Sequence, residues 1–233
     1  MIQLRPAAAR GHADHGWLVA RHSFSFADYY DPAEMGWGAL RVINEDRIRP
    51  GAGFGTHGHR DMEIVTYLLS GSLEHRDSLG HGGIIRPGEV QRMTAGTGIR
   101  HSELNPSPTE VAHLLQIWIE PATRGSRPGY EQKALPASDR GLTLVASPDG
   151  AEDSLTIGQD ARLHLLRLAP GDTLDFSLAP GHLAYLHLVR GALSANGLAL
   201  AEGDGAKVKD ESRLQFAATA ASECLIFDLP PQP

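Results

Sequence analysis

Short runs of strand-forming residues, separated by glycine and proline, constrain the fold of this chain more than any other feature. Most of the runs are four to eight residues long, rich in Leu, Ile, Val or aromatic residues, and end at Gly, Pro, Asp or Ser. The 233 residues include 26 glycines and 15 prolines, which favours many turns. The predicted strands are 40–43, 63–69, 72–77, 90–93, 112–119, 142–146, 162–168, 173–178, 183–189 and 223–228. Strands this short and this close together predict an all-β fold of sandwiches or barrels.

Helix signals are weak throughout the chain. No segment has a long 3.6-residue apolar period with caps, and only residues 27–30 and 130–135 favour a short helical turn. The segment 121–136 is rich in Pro and Gly and predicts a linker near the middle of the chain.

The two halves on either side of this linker share a layout. Each contains a strand, a turn glycine (Gly71 or Gly191), a second strand and then a turn with a glycine and an acidic residue, Gly88-Glu89 or Gly203-Asp204. We therefore predict two related β-barrels, in residues 1–120 and 137–233.

Potential metal ligands are concentrated in the first half, as two pairs with strand spacing. His57 and His59 form one pair, and His101 and Glu103 form the other. Side chains two residues apart on a strand point to the same face, so two adjacent strands can aim all four at one point. With 12 histidines in the chain, one His-x-His pair is expected nearly by chance. The second pair favours a metal site over the alternative, a hydrogen-bonded polar cluster.

The donor set limits the metal. Three neutral imidazoles and one carboxylate, without sulfur, suit Fe(II), Mn, Co, Ni, Cu or Zn. Four protein ligands leave coordination positions open, which favours a catalytic or redox centre over a structural one. Glu63 is an alternative carboxylate ligand because it follows His59 by four residues; otherwise we expect it to orient a histidine.

The segments around these ligands resemble the pirin family. The resemblance is specific over nearly the whole first half and loose over the second, and it rests on His22–Phe26, His57–Glu63, His75–Ser78, Thr94–Ile99, His101 with Glu103, and Leu115–Trp118. It implies two cupin (jelly-roll) barrels in one chain, a bicupin. It also implies one metal ion, usually iron, held in the N-terminal barrel by His57, His59, His101 and Glu103. Gly58 is a departure, since the family more often has proline there.

The resemblance further implies quercetin 2,3-dioxygenase activity. A flavonol carries a 3-hydroxyl beside a 4-carbonyl, and both oxygens can approach a metal with open positions. Glu103 is then the candidate catalytic base for the hydroxyl proton, and dioxygen opens the central ring with release of carbon monoxide. The alternative that the family allows is a metal-dependent redox sensor without enzymatic activity, which binds a transcriptional or metabolic protein partner.

The second half lacks an equivalent ligand set. In the first half, the histidine pair precedes Gly71 and the second pair follows Gly88. The same offsets from Gly191 and Gly203 lead to residues that cannot bind a cation together: Ser177, Ala179, Phe216 and Ala218. We therefore predict a degenerate second barrel without metal.

Composition excludes several other classes. The net charge of −7 argues against direct nucleic-acid binding, and the single cysteine, Cys224, excludes a disulfide framework or a thiolate zinc site within one chain. No apolar run reaches the roughly 18 residues needed to cross a membrane. We see no signal peptide, so we expect a cytoplasmic protein, and we expect a monomer.

Overall fold

The computed structural model describes residues 1–138 and 140–231, which form a β protein with two three-residue 3-10 helices, Ala7–Ala9 and Ala151–Asp153. The strands up to residue 134 are β1 (Ile2–Arg5), β2 (Gly11–Asp14), β3 (Leu18–His22), β4 (Leu40–Ile48), β5 (Gly53–His59), β6 (Glu63–Ser70), β7 (Leu73–Asp77), β8 (Gly82–Ile85), β9 (Glu89–Thr94), β10 (Ile99–Leu104), β11 (Ala112–Ile119) and β12 (Gly129–Ala134). The later strands are β13 (Gly141–Ser147), β14 (Leu155–Thr156), β15 (Arg162–Leu168), β16 (Thr173–Ser177), β17 (Leu183–Arg190), β18 (Ala192–Ala195), β19 (Leu198–Ala201), β20 (Gly205–Val208), β21 (Arg213–Ala218) and β22 (Ser222–Leu229).

These strands build the predicted two cupin barrels, each from a seven-stranded and a four-stranded sheet. The first barrel has the orders β12-β9-β6-β11-β4-β3-β2 and β5-β10-β7-β8. The second has β1-β20-β17-β22-β15-β13-β14 and β16-β21-β18-β19. In both four-stranded sheets the strand that comes first in the chain lies at one edge, next to the last, and the second and third strands follow. The internal repeat of the sequence is therefore also present in the structure.

Each of the ten predicted strands overlaps an observed one, but both predicted helical turns are wrong. At 27–30 the chain makes a tight turn, with Ala27 at a φ of 49° and a bridge between Phe26 and Tyr29. At 130–135 it forms most of β12, which pairs with β9 along its whole length. Pairing with a sheet edge satisfies the backbone groups that an isolated helical turn leaves exposed.

Two strands belong to a different barrel from the one that the predicted domain boundaries assign to them, or lie in the predicted linker. β1 pairs with β20, so the first residues extend a sheet of the second barrel. β12 lies inside the predicted linker and extends a sheet of the first barrel. The boundaries 1–120, 121–136 and 137–233 otherwise stay a prediction.

The two barrels share one apolar core. Ile43, Val65 and Leu115 of the first barrel lie in the same buried cluster as Leu165 and Phe227 of the second. This contact fixes the seven-stranded sheets against each other and leaves the four-stranded sheets outside it. The described residues contain no helix of the length and apolar character that a membrane span requires.

Candidate metal centre

β5 and β10, the strands that carry the predicted ligands, are antiparallel neighbours in the four-stranded sheet of the first barrel. His57 lies opposite His101, but the register then shifts, and Glu103 lies opposite Phe54. The shift is a bulge that adds one residue to β5 between these two pairs. Phe54 consequently packs against the His57 ring, with 6.2 Å between the ring centroids.

Three imidazole nitrogens meet at one point. The Nε2 atom of His101 lies 3.0 Å from Nε2 of His57 and 3.0 Å from Nε2 of His59. Two donors at about 2.1 Å from one cation and at right angles to each other are about 3.0 Å apart. A single hydrogen on the His101 nitrogen cannot serve both neighbours, so the arrangement suits a shared cation better than a hydrogen-bonded cluster.

Two of the three rings, those of His59 and His101, are suited to be neutral ligands. Burial, followed by the charge of His57, lowers the pKa of His59 to about 4. Burial and the neighbouring histidines lower the pKa of His101 to about 2. Both rings therefore keep a free lone pair at neutral pH, which a metal ligand requires.

Hydrogen bonds orient two of the rings. His57 Nδ1 lies 2.8 Å from the Gly55 carbonyl oxygen, to which it donates, so the lone pair is on Nε2. His101 Nδ1 lies 3.3 Å from Nδ1 of His75, a buried residue of β7 whose Nε2 lies 3.5 Å from Asp77 Oδ2. When His101 Nε2 binds a cation its Nδ1 carries the hydrogen, and it then shares the lone pair of His75 Nδ1 with Gln91 Nε2, which lies 3.2 Å from the same atom.

Glu103 is placed beside the three histidines rather than within their group. Its carboxylate forms a second group of potential ligands with His75 and His101. Gln116 Nε2 donates to Glu103 Oε2 over 2.8 Å, while Oε1 has no hydrogen-bond partner among the described residues. Burial raises the pKa of Glu103 to about 7. A buried carboxylate oxygen without a partner is costly, and a bound cation or proton would relieve that cost.

Glu63 lies outside both groups of potential ligands. Its Oε2 atom accepts a hydrogen bond from Thr94 Oγ1 over 2.7 Å, so it orients a threonine and not a histidine. The spacing argument fails because the chain leaves β5 after His59, turns at Asp61 with a φ of 50° and starts β6 at Glu63. Residue parity holds only within one strand.

A cavity of about 460 Å³ lies in the first barrel, and the three convergent histidines are not part of its wall. Its walls include the aromatic side chains of Trp17, Phe26, Tyr29 and Phe54. Phe26 packs edge-on against Trp118, and Trp118 packs edge-on against His59, with centroid distances of 5.4 Å and 5.0 Å. The cavity is therefore one or two side chains away from the three imidazole nitrogens. This size and aromatic lining suit a planar organic ligand.

The sequence did not reveal two features of this site. His75 was recognisable only as part of a family motif, and its contact with His101 depends on the pairing of β7 with β10. Except for Phe54, the cavity walls come from residues 12–29 and from Asp46, which lie outside the segments that carry the ligands. Alternation along β4 could have placed Asp46 on an inner face, but not beside these aromatic residues.

Two family models match this chain, one in each half. The pirin family model matches residues 3–119, and a model described as the quercetinase C-terminal cupin domain matches residues 144–229. This chain belongs to the pirin family. The resemblance in the first-half motifs is thereby confirmed.

Individual pirin relatives match over nearly the whole chain. A protein of Escherichia coli strain K12 named quercetin 2,3-dioxygenase is 49% identical, over 99% of this chain and 100% of that protein. A crystal structure of the bacterial pirin YhhW from Escherichia coli in complex with nickel(II) is similar with a TM-score of 0.96, at 48% identity, covering 99% of this chain and 100% of the other. Escherichia coli YhaK gives a TM-score of 0.77 at 32% identity, covering 94% and 98%.

Proposed function

We propose that this chain is a metal-dependent dioxygenase that opens the central ring of a flavonol, such as quercetin, with O₂. One observation carries the proposal: the Nε2 atoms of His57 and His59 each lie 3.0 Å from Nε2 of His101, and Phe54, which packs on His57, also lines an aromatic cavity large enough for a planar polyphenol. The relative named quercetin 2,3-dioxygenase, which matches this chain from end to end, supports the substrate class.

The proposed metal ligands are His57, His59, His101 and Glu103. The convergent Nε2 atoms support this set, and so does the unpartnered Oε1 atom of Glu103, whose carboxylate lies within 4.8 Å of a ring nitrogen of His101. We propose Fe(II) as the native cation, following the family resemblance, and the same donors accept nickel(II), which the YhhW structure contains. When bound, the cation lowers the pKa of a coordinated hydroxyl and provides positions where flavonol and dioxygen meet.

The chain's own residues supply proton transfer and positioning. The Glu103 carboxylate receives the proton of the flavonol 3-hydroxyl, while Gln116 holds its Oε2 atom in place. Trp17, Phe26 and Phe54 enclose the flat rings and exclude water from the reaction.

The other functional expectations stay predictions. They are a cytoplasmic location, a monomeric state and a regulatory protein partner. No contact among the described residues favours the non-enzymatic alternative, and it is tested by the same experiment as the dioxygenase.

Elemental analysis of protein purified without added metal, combined with oxygen uptake on quercetin, tests the proposed function. We expect about one divalent cation per chain, and oxygen consumption in proportion to bound cation with release of carbon monoxide. His57→Ala should lose both. His164→Ala, which removes a half-buried histidine in the second barrel, is the matched control and should keep both. Metal-loaded protein that consumes no oxygen with any flavonol would exclude the dioxygenase.

A further inference from the structure

Asp46 is a buried carboxyl group in the cavity wall that the proposed reaction does not use. It lies on β4 in the seven-stranded sheet of the first barrel, between Ala20 of β3 and Leu114 of β11. Only 3% of the residue is exposed, and it lines the aromatic cavity. Its Oδ1 atom has no hydrogen-bond partner among the described residues.

A carboxyl group in this environment is costly for the free protein. Burial, then the charges of Glu103 and Glu45, raises the pKa of Asp46 to about 7. An unpartnered buried polar atom costs on the order of 1–3 kcal/mol, and more if it is charged. A ligand that brings a hydrogen-bond donor to Oδ1 recovers that cost, so the group favours ligands that carry such a donor.

The cavity wall includes His12, His15 and Tyr29, but no described residue donates a hydrogen bond to Asp46 Oδ1. Trp17, Phe26 and Phe54 are aromatic, and His22 already pairs through Nδ1 with Asn44 Oδ1 at 2.8 Å. An apolar pocket with few polar groups uses those groups to orient its ligand. The class of ligand that matches these walls is a flat aromatic ring system with a hydroxyl group at its edge.

We propose that Asp46 accepts a hydrogen bond from a phenolic hydroxyl of the flavonol other than the 3-hydroxyl, and so determines which flavonols bind. This inference rests on the proposed function, since it assigns a specificity residue to the same site. Asp46 acts on binding and orientation, and Glu103 remains the residue that receives the 3-hydroxyl proton.

Hydroxyl deletion from the ligand and carboxyl deletion from the protein test the contact together. A site built around a buried polar group rejects a ligand that leaves the group unpaired. Quercetin and 3-hydroxyflavone share the 3-hydroxyl and 4-carbonyl, but 3-hydroxyflavone lacks every other hydroxyl group. Binding of each is measured without oxygen to nickel-loaded protein, and kcat/KM is measured with the iron-loaded protein.

We expect Asp46→Leu to weaken quercetin binding at least tenfold and to change 3-hydroxyflavone binding less than twofold. Asp46→Asn keeps an acceptor oxygen, so its affinity for quercetin should lie between those of the wild type and Asp46→Leu. Asp175→Leu removes an exposed carboxylate in the second barrel and should change neither ligand. Thermal unfolding confirms that each variant is folded, and an apolar replacement of a buried carboxyl is well tolerated.

Equal losses for both flavonols, or no loss with quercetin, would overturn the role of Asp46. If the wild type turns over quercetin, and Asp46→Leu binds and turns over quercetin as well as the wild type does, only the role of Asp46 fails. If the wild-type protein binds no flavonol and consumes no oxygen with one, the proposed function fails and the role of Asp46 fails with it.

Discussion

At the scale of single residues, the site depends on uncharged rings held in fixed orientations. The Gly55 carbonyl fixes His57, and the His75 ring lies against His101. Burial keeps His59 and His101 neutral by lowering the pKa of each. The same burial raises the pKa of Glu103, so proton and cation compete for one carboxylate.

Glu103→Gln separates metal binding from catalysis. The amide preserves the size of the side chain but cannot take the hydroxyl proton, so we expect kcat to fall by a factor of at least about 100. The three histidines should retain appreciable metal, as elemental analysis would show. Glu110→Gln, at an exposed position, is the control. Full turnover by Glu103→Gln would remove this residue from the mechanism.

His75→Phe tests the support of His101. Phenylalanine fills the same buried space but offers no acceptor for the His101 Nδ1 hydrogen, so cation affinity should fall about 10- to 100-fold. Competition with a chelator for nickel(II) or zinc measures it. His164→Phe makes the same exchange at a half-buried histidine of the second barrel and should leave affinity unchanged. Unchanged affinity in His75→Phe would show that His101 needs no such partner.

At the scale of elements, the bulge between β5 and β10 determines which side chains meet. Without it Glu103 would lie opposite Gly55, and Phe54 would not lie against His57. Gly53 allows β5 to pair with β10 beyond the bulge, because its backbone lies directly against the Glu103 carbonyl, where a side chain has no space. The pair of strands therefore needs glycine at this position.

Gly53→Ala should disturb this register. Its methyl group would overlap the Glu103 carbonyl oxygen, and relief of such an overlap costs about 1–3 kcal/mol of unfolding free energy. Metal affinity should decrease as well, because Glu103 shifts relative to the histidines. Gly55→Ala, on the same strand with open space around the position, is the control. Chemical unfolding and metal titration of both variants measure these effects; equal stability would contradict the close approach.

At the scale of the whole molecule, the second barrel contributes more than half of the buried residues described in the shared core. Tyr185 and Val189 of β17 face this core, and His187 between them lies on the same side of the strand. Burial, followed by the charge of Arg10, lowers the pKa of His187 to about 3. The interface between barrels therefore contains a histidine that must stay neutral.

His187 should make stability depend on pH. The unfolded chain binds a proton at this residue below about pH 6.5, while the native protein does not, so the free energy of unfolding falls as pH decreases from 6.5 toward 3. The loss from this residue between pH 7 and pH 5 is about 2 kcal/mol. His187→Leu should remove that part of the acid destabilisation, as urea unfolding at the two pH values measures. The exposed His15→Leu should not, and an identical pH dependence in His187→Leu would contradict the assignment.

The sequence by itself determined the properties that repeat locally. Alternation and turn residues predicted the ten strands and the two barrels, and two-residue spacing predicted that His57 and His59 share a face. The convergence of both histidines on His101 agrees with that prediction, while metal binding and the role of Glu103 stay predictions. Only tertiary structure decided the rest. The bulge at Phe54, the contact of His75 with His101, the place of Asp46 in the cavity and the pairing of β1 with β20 depend on strand register between distant segments. Register is set by packing of the whole barrel, which no local pattern contains.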